Sequence, residues 1–169
     1  MNKEISKLLK KYNRGIKLDI GCGENKQGPD WVGLDIQKLK GVDIIWNFEK
    51  FPFPLPDESC STVMASHVVE HVNPANFGFV NWMNEVWRIT KLRGTLLIAT
   101  PYAGSPGFWQ DPTHINGVNE VTFTYFDPTS FTNLYRFYKP KPWKILNCVW
   151  SPVGNLEIIL EKIKDNEKK

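Results

Sequence analysis

Lys17-Leu18-Asp19-Ile20-Gly21-Cys22-Gly23, followed twelve residues later by Asp35 in Val32-Gly33-Leu34-Asp35-Ile36, decides how the rest of the chain reads. A short apolar strand runs into a glycine-x-glycine turn, and a second apolar strand ends on a carboxylate. In α/β proteins that arrangement builds a shelf for a nucleoside-bearing cofactor. The glycines let the backbone come close to the ligand, and a carboxylate ending the next strand can bind ribose hydroxyls.

Outward from this stretch, residues 3–12 place Ile5, Leu8, Leu9 and Tyr12 at helical spacing, so an amphipathic helix within 1–13 is expected before the first strand. Apolar strands are predicted at 16–20, 31–36, 42–47, 61–66 and 94–100. Leu96-Leu97-Ile98-Ala99 lacks polar alternation, as a strand covered on both faces should. Between the fourth and fifth strands, Asn73-Pro74 reads as N-cap and first helical residue. Phe77, Val80, Met83 and Trp87 then form the apolar face, and Gly94 follows the end.

A long loop spans about 102–122, and loops of that length in a compact domain are usually functional. Asp127-Pro128 is expected to open a helix through Tyr138. Trp143–Val149 and Leu156–Ile163 are expected as two strands joined by a hairpin at 151–155, with a frayed tail over 164–169. The predicted fold is a single α/β domain over 1–169. Its open Rossmann-like sheet is mostly parallel with a C-terminal antiparallel strand and helices on both faces. The first crossover is short: about ten residues separate the first two strands, fewer than a covering helix needs.

Bulk properties set the outer limits. The chain has 169 residues, 41% hydrophobic and 23% charged, which is ordinary for a globular protein with a real core. No apolar run reaches the roughly 18 residues that span a bilayer, so no membrane partner is expected. Cys22, Cys60 and Cys148 are too scattered for a disulfide framework or a CxxC zinc site, which points to a cytoplasmic setting. A net charge of +3 is mild for a nucleic-acid binder, and nucleic acid is not expected as a partner. Oligomeric state is left open.

Asp19-Ile20-Gly21-Cys22-Gly23 resembles the first motif of the class I S-adenosylmethionine-dependent methyltransferases, of the small type 11 kind. Phe51-Pro52-Phe53-Pro54-Leu55-Pro56-Asp57 resembles that family's proline-rich lead into strand four, and His67-Val68-Val69-Glu70-His71-Val72 the segment leaving it. The order of elements from 16 to 163 agrees. The resemblance implies S-adenosylmethionine as cofactor. A sulfonium with an amino-acid tail needs no pyrophosphate cradle, in keeping with the absence of a third close glycine.

On that resemblance, Gly21, Cys22 and Gly23 form the turn, and Asp19 either orders it or receives the cofactor's ammonium through water. Asp35 takes the ribose hydroxyls, Ile36 packs on adenine, Asn47 and Phe48 stand where the adenine amino group is read, and the Ser66 carbonyl suits the ammonium. His67 is placed beside the cofactor, and His71 either lines that pocket or packs at a helix start. His114 and Asp111, in Asp111-Pro112-Thr113-His114, are candidates for a general base and its orienter respectively, or for a loop-folding turn. Tyr102, Phe108, Trp109 and Tyr125 would wall the acceptor pocket or form a small core of their own.

The implied activity is methyl transfer from S-adenosylmethionine to a small-molecule or glycan-like acceptor. No Asn-Pro-Pro-Tyr or Asp-Pro-Pro-Tyr follows strand four, as it usually does in amino-methylating nucleic-acid enzymes. Two other classes stay open. One is a non-catalytic cofactor-binding module or regulatory subunit. The other is a zinc hydrolase, since His67-x-x-Glu70-His71 also spells an inverted zinc-protease motif. That motif needs both histidines on one helix, whereas His67 falls at a strand end, so no metal is expected.

Overall fold

A computed structural model describes residues 3–151 and 154–165. Its elements are helix α1 (Lys3–Lys11), strands β1 (Ile16–Ile20), β2 (Trp31–Asp35), β3 (Val42–Ile45) and β4 (Cys60–Ser66), helix α2 (Gly78–Ile89), strand β5 (Thr90–Pro101), short helices α3 (Pro106–Trp109) and α4 (Tyr135–Tyr138), and strands β6 (Trp143–Trp150) and β7 (Asn155–Lys162). The strands form one seven-stranded sheet in the order β3-β2-β1-β4-β5-β7-β6. β1 to β5 are mutually parallel, and β7 runs antiparallel to both β5 and β6. The expected fold class, with its reversed C-terminal strand, is the observed one.

The two faces of the sheet are unequally covered. In register across the sheet, Leu18, Val63, Leu96 and Leu160 point to one side and are fully buried with Trp82, Val86 and Ile89 of α2. Their neighbours Met64, Leu97 and Ile159 point to the other side and stay partly exposed. Helices were expected on both faces. Among the described residues, however, neither 21–30 nor 36–41 holds a helix, so the shortened first crossover is followed by a second.

Three local expectations need correction. The helix before β5 begins at Gly78, because Asn76 and Phe77 take left-handed φ of 52° and 61° and interrupt it. Asn73 instead folds a turn ahead of a separate 3-10 segment, Ala75–Phe77, its Oδ1 accepting the Ala75 N–H at 2.9 Å. The buried stripe is Phe79, Trp82, Met83, Val86 and Ile89, with Phe77 exposed and Val80 and Trp87 only half-buried. Nor does Gly94 follow the helix end. Thr90 ends α2 and starts β5, and Gly94 sits inside β5, where a Cβ would meet the Ser61 carbonyl oxygen at 2.9 Å.

No helix opens at Asp127. Its Oδ1 accepts the Thr129 N–H and hydroxyl, both at 2.7 Å, and its Oδ2 accepts the Ile145 N–H at 2.9 Å. This local side-chain competition with helical bonding pins a turn to β6 and leaves only α4 helical. β3 ends two residues early, although Trp46 N–H still donates to the Asp35 carbonyl. The β6–β7 turn closes through Ser151 N–H to the Asn155 carbonyl at 2.8 Å, with residues 152–153 outside the described part. Of the expected frayed tail, Asp165 pairs with Lys141 at 2.6 Å, and residues 166–169 lie outside the described residues.

Candidate functional site

Strand order reverses between β1 and β4, and ligands of open α/β sheets bind beyond the strand ends at such a point. Gly21 and Gly23 stand there with φ of 66° and 55°, a conformation costly for other residues. The turn they form is bonded internally. Gly21 and Cys22 N–H groups donate to the Leu34 carbonyl, and Gly23 N–H donates to Asp35 Oδ2 at 2.9 Å. Asp35 Oδ1 accepts the Gln37 N–H at 2.9 Å. Asp35 therefore holds the turn in place, a role its position in the sequence did not disclose. Each of its oxygens keeps a lone pair for a ligand.

Asp19 orders the segment after the turn, its buried Oδ2 accepting the Gln27 N–H at 2.9 Å. Burial pushes its carboxyl above the usual carboxylate range, opposed by that hydrogen bond and by Lys26. Cys22 turns inward against Gly33, where a Cβ would lie 2.6 Å from its Sγ. Burial raises this thiol to about 11. Only the backbone of Cys22 is left to face a ligand. Ile36 is 55% exposed beside the turn. Asn47 Oδ1 accepts the Glu49 N–H at 2.8 Å and so folds its own turn, while Phe48 leans on the core. Ser66 closes β4 one step beyond the Ile20–Ala65 pair, next to Gly21.

Beside this shelf, past the ends of β4 and β5, lies a cavity of about 440 Å³, within the size range of small-molecule sites. It is lined by His67, Glu70, His71, Gln110, Asp111 and His114, with Pro101, Gly107 and Asn155 completing the wall. His67 and His71 thus face this cavity. Val68 between them abuts Gly21, where a Cβ would come 2.6 Å from Val68 Cγ2, so one segment separates shelf from cavity.

Glu70 is fully buried on the 3-10 turn Val69–His71, and Thr100 Oγ1 donates to its Oε2 at 3.1 Å. His67 Nδ1 stands 3.1 Å from Glu70 Oε1, and that carboxylate raises the His67 pKa against the opposing effect of burial. Asn155 Nδ2, from β7, lies 3.3 Å from His67 Nε2.

Asp111 does not orient His114 through a hydrogen bond: His114 Nε2 and Asp111 Oδ2 are 3.8 Å apart. Asp111 folds its loop instead, Oδ1 accepting the Thr113 N–H at 2.8 Å and hydroxyl at 2.7 Å, and these bonds lower its pKa. His114 is oriented by the Phe108 carbonyl, 2.8 Å from its Nδ1. Its Nε2 faces the cavity.

None of the four expected aromatic walls lines the cavity. Phe108 is buried and packs on His114, Trp109 is 76% exposed, Tyr102 packs on Trp150 and Tyr125 on Tyr138. Sequence reasoning missed Gln110 and Asn155. It had weighed Glu70 only within the His67-x-x-Glu70-His71 spelling. That triad does not converge, because His67 lies outside any helix at φ 55° and Glu70, His71 and His114 cluster instead.

No protein-family profile matches the chain, and no curated protein matches it at a significant level. Solved structures do. A SAM-dependent methyltransferase from Archaeoglobus fulgidus aligns at 20% identity and TM-score 0.61, over 94% of this chain and 93% of the other. A putative type 11 methyltransferase from Sulfolobus solfataricus aligns at 15% and 0.58, over 97% and 94%. A 16S rRNA (adenine(1408)-N(1))-methyltransferase from Catenulisporales acidiphilia aligns at 14% and 0.63, over 99% and 95%. From its strand order to its reversed last strand, this chain has the fold of the class I S-adenosylmethionine-dependent methyltransferases.

Proposed function

We propose that the chain binds S-adenosylmethionine on the shelf and transfers its methyl group to an acceptor held in the cavity. One observation carries the reading: a Cβ built on Gly23 meets nothing within 4 Å, so the turn opens onto free space in front of the Asp35 carboxylate, at the switch point. The residues present fit the cofactor. Asp35 keeps two lone pairs for ribose hydroxyls, Ile36 offers an exposed apolar surface to adenine, and the Ser66 carbonyl is an acceptor for the ammonium. Asn47 is the adjoining polar side chain. When bound, the cofactor supplies a methyl group on a good leaving group, and the protein's work is alignment and exclusion of water.

The acceptor side is polar and small. Glu70 and Asp111 in the cavity disfavour a phosphate backbone, while His67, Gln110 and Asn155 suit hydroxyl or amine groups, so a small-molecule or glycan-like acceptor is the better reading. Where the nucleophile carries a proton, His114 Nε2 is placed to take it. A non-catalytic binding module is the second reading, favoured by the helix-free first crossover that leaves the shelf open.

Calorimetry with S-adenosylhomocysteine tests the shelf. Micromolar binding weakened at least tenfold by Asp35→Ala is expected, and absence of binding at high micromolar ligand would overturn both readings. A methyl-transfer screen over hydroxyl, amine and carboxylate acceptors then separates enzyme from module.

A further inference from the structure

The geometry points to a divalent transition-metal site, of the zinc type, formed by Glu70, His71 and His114. One ligand atom from each residue lies within 4.8 Å of those from the other two. Two chain segments bring them together, and backbone bonds hold the segments in place. Ile115 and Asn116 N–H groups both donate to the Glu70 carbonyl, at 2.9 and 3.0 Å, and Asn116 Nδ2 donates to the Val69 carbonyl at 2.8 Å.

Both imidazoles are set in the tautomer a metal requires. His114 Nδ1 faces the Phe108 carbonyl oxygen at 2.8 Å. A carbonyl only accepts, so the proton resides on Nδ1 and the lone pair on Nε2. His71 Nδ1 faces the Thr113 carbonyl oxygen at 3.3 Å and Thr113 Oγ1 at 3.1 Å. The Thr113 hydroxyl hydrogen is committed to Asp111 Oδ1 at 2.7 Å, so both neighbours accept and the His71 lone pair also lies on Nε2. Metal-bound histidines are oriented in this way by a partner on the far nitrogen.

Glu70 adds the independent sign. It is 0% exposed, and its Oε1 has only the His67 Nδ1 beside it, 3.1 Å away, a charged partner only when that imidazole is protonated. A buried carboxylate whose one neighbouring imidazole is neutral is costly, and a cation removes the cost. Two imidazoles and one carboxylate suit zinc and its borderline neighbours rather than magnesium or calcium, which favour all-oxygen shells. Bonds of about 2.0–2.1 Å in a tetrahedron put ligand atoms roughly 3.4 Å apart. The widest separation, up to 4.8 Å, therefore has to close by about 1.4 Å on loading.

The open position faces the cavity, as in zinc sites that bind an exogenous molecule. On the acceptor reading above, the cation would hold a donor atom of that molecule, and His114 Nε2 would be a ligand, no longer a base. The cation site itself does not depend on that reading.

The test loads the full chain with zinc chloride, removes excess by desalting and measures metal per chain, with affinity from a competing chromophoric chelator. One zinc per chain is expected. His71→Ala and His114→Ala should each weaken affinity at least tenfold, with the fold of each variant checked by circular dichroism. His67→Asn should retain zinc. Cobalt(II) loading should give visible d–d bands of a four- or five-coordinate site, lost in His114→Ala. Affinity weaker than about 0.1 mM, or equal zinc retention by wild type, His71→Ala and His114→Ala, overturns the site. Binding of S-adenosylhomocysteine, measured alongside, keeps the two readings separable: either can fail while the other stands.

Discussion

The shelf and the cavity share the segment from Ser66 to His71 as a common wall, yet they spend their polar atoms in opposite ways. On the shelf, the N–H groups of Gly21, Cys22 and Gly23 and one lone pair of each Asp35 oxygen are committed to internal bonds. In the cavity, among the described residues, Nε2 of His71 and of His114 makes no hydrogen bond, and Glu70 Oε1 has only the His67 imidazole beside it. A turn that satisfies itself is rigid before any ligand arrives and offers shape. A cavity with two free imidazole nitrogens beside a buried carboxylate offers chemistry. That division matches a nucleoside held by fit and a second molecule or ion held by specific bonds.

The largest effect should come from filling the close contact behind the shelf. Gly21→Ala places a Cβ 2.6 Å from Val68 Cγ2 at φ 66°. Overpacking of about 1–3 kcal/mol and left-handed strain of about 1–2 kcal/mol predict a loss near 3 kcal/mol in urea unfolding. Adding Val68→Ala should recover the packing part alone. No recovery would mean that Val68 is not the wall between the two regions.

Gly23→Ala sharpens the contrast from the open side. Its Cβ meets no atom, so only the left-handed strain of about 1 kcal/mol is expected, while S-adenosylhomocysteine affinity should fall tenfold or more. Parallel loss of stability and affinity, or intact affinity, would break the assignment of that space to a ligand.

The smallest effect is a pH dependence on the cavity side. His67 has its pKa raised above 6.5 by Glu70. A histidine with a raised folded-state pKa stabilises fully below the unfolded value and loses that contribution as pH climbs through the folded value. The stability gap between wild type and His67→Gln should therefore be widest below pH 6.5 and vanish at alkaline pH. Its size should stay below about 1 kcal/mol, because the side chain is 53% exposed. A gap that grows with pH would place the proton elsewhere.

The shelf was the more legible region. A strand, a tight turn and the next strand are continuous in sequence, and the glycine and carboxylate positions follow from period and spacing. The cavity was not. For His114 and Asp111 the sequence left two readings open, a base with its orienter or a loop-folding turn, and only the structure shows the Thr113 N–H and hydroxyl taking Asp111 Oδ1 and the Phe108 carbonyl beside His114 Nδ1. The helix expected at Asp127 failed, since the Ile145 N–H, eighteen residues away, takes one of its carboxylate oxygens.

By itself, then, the sequence determined the strand succession, the short first crossover, the glycine turn and the carboxylate that follows it, because these rest on local periodicity and backbone sterics. Only the tertiary structure decided that Asp35 anchors the turn, that Asn155 meets His67 and that Glu70, His71 and His114 converge. The Gly23–Asp35 and His67–Asn155 contacts join residues 12 and 88 positions apart, and no local pattern encodes which distant segments a twisted sheet brings to one strand end.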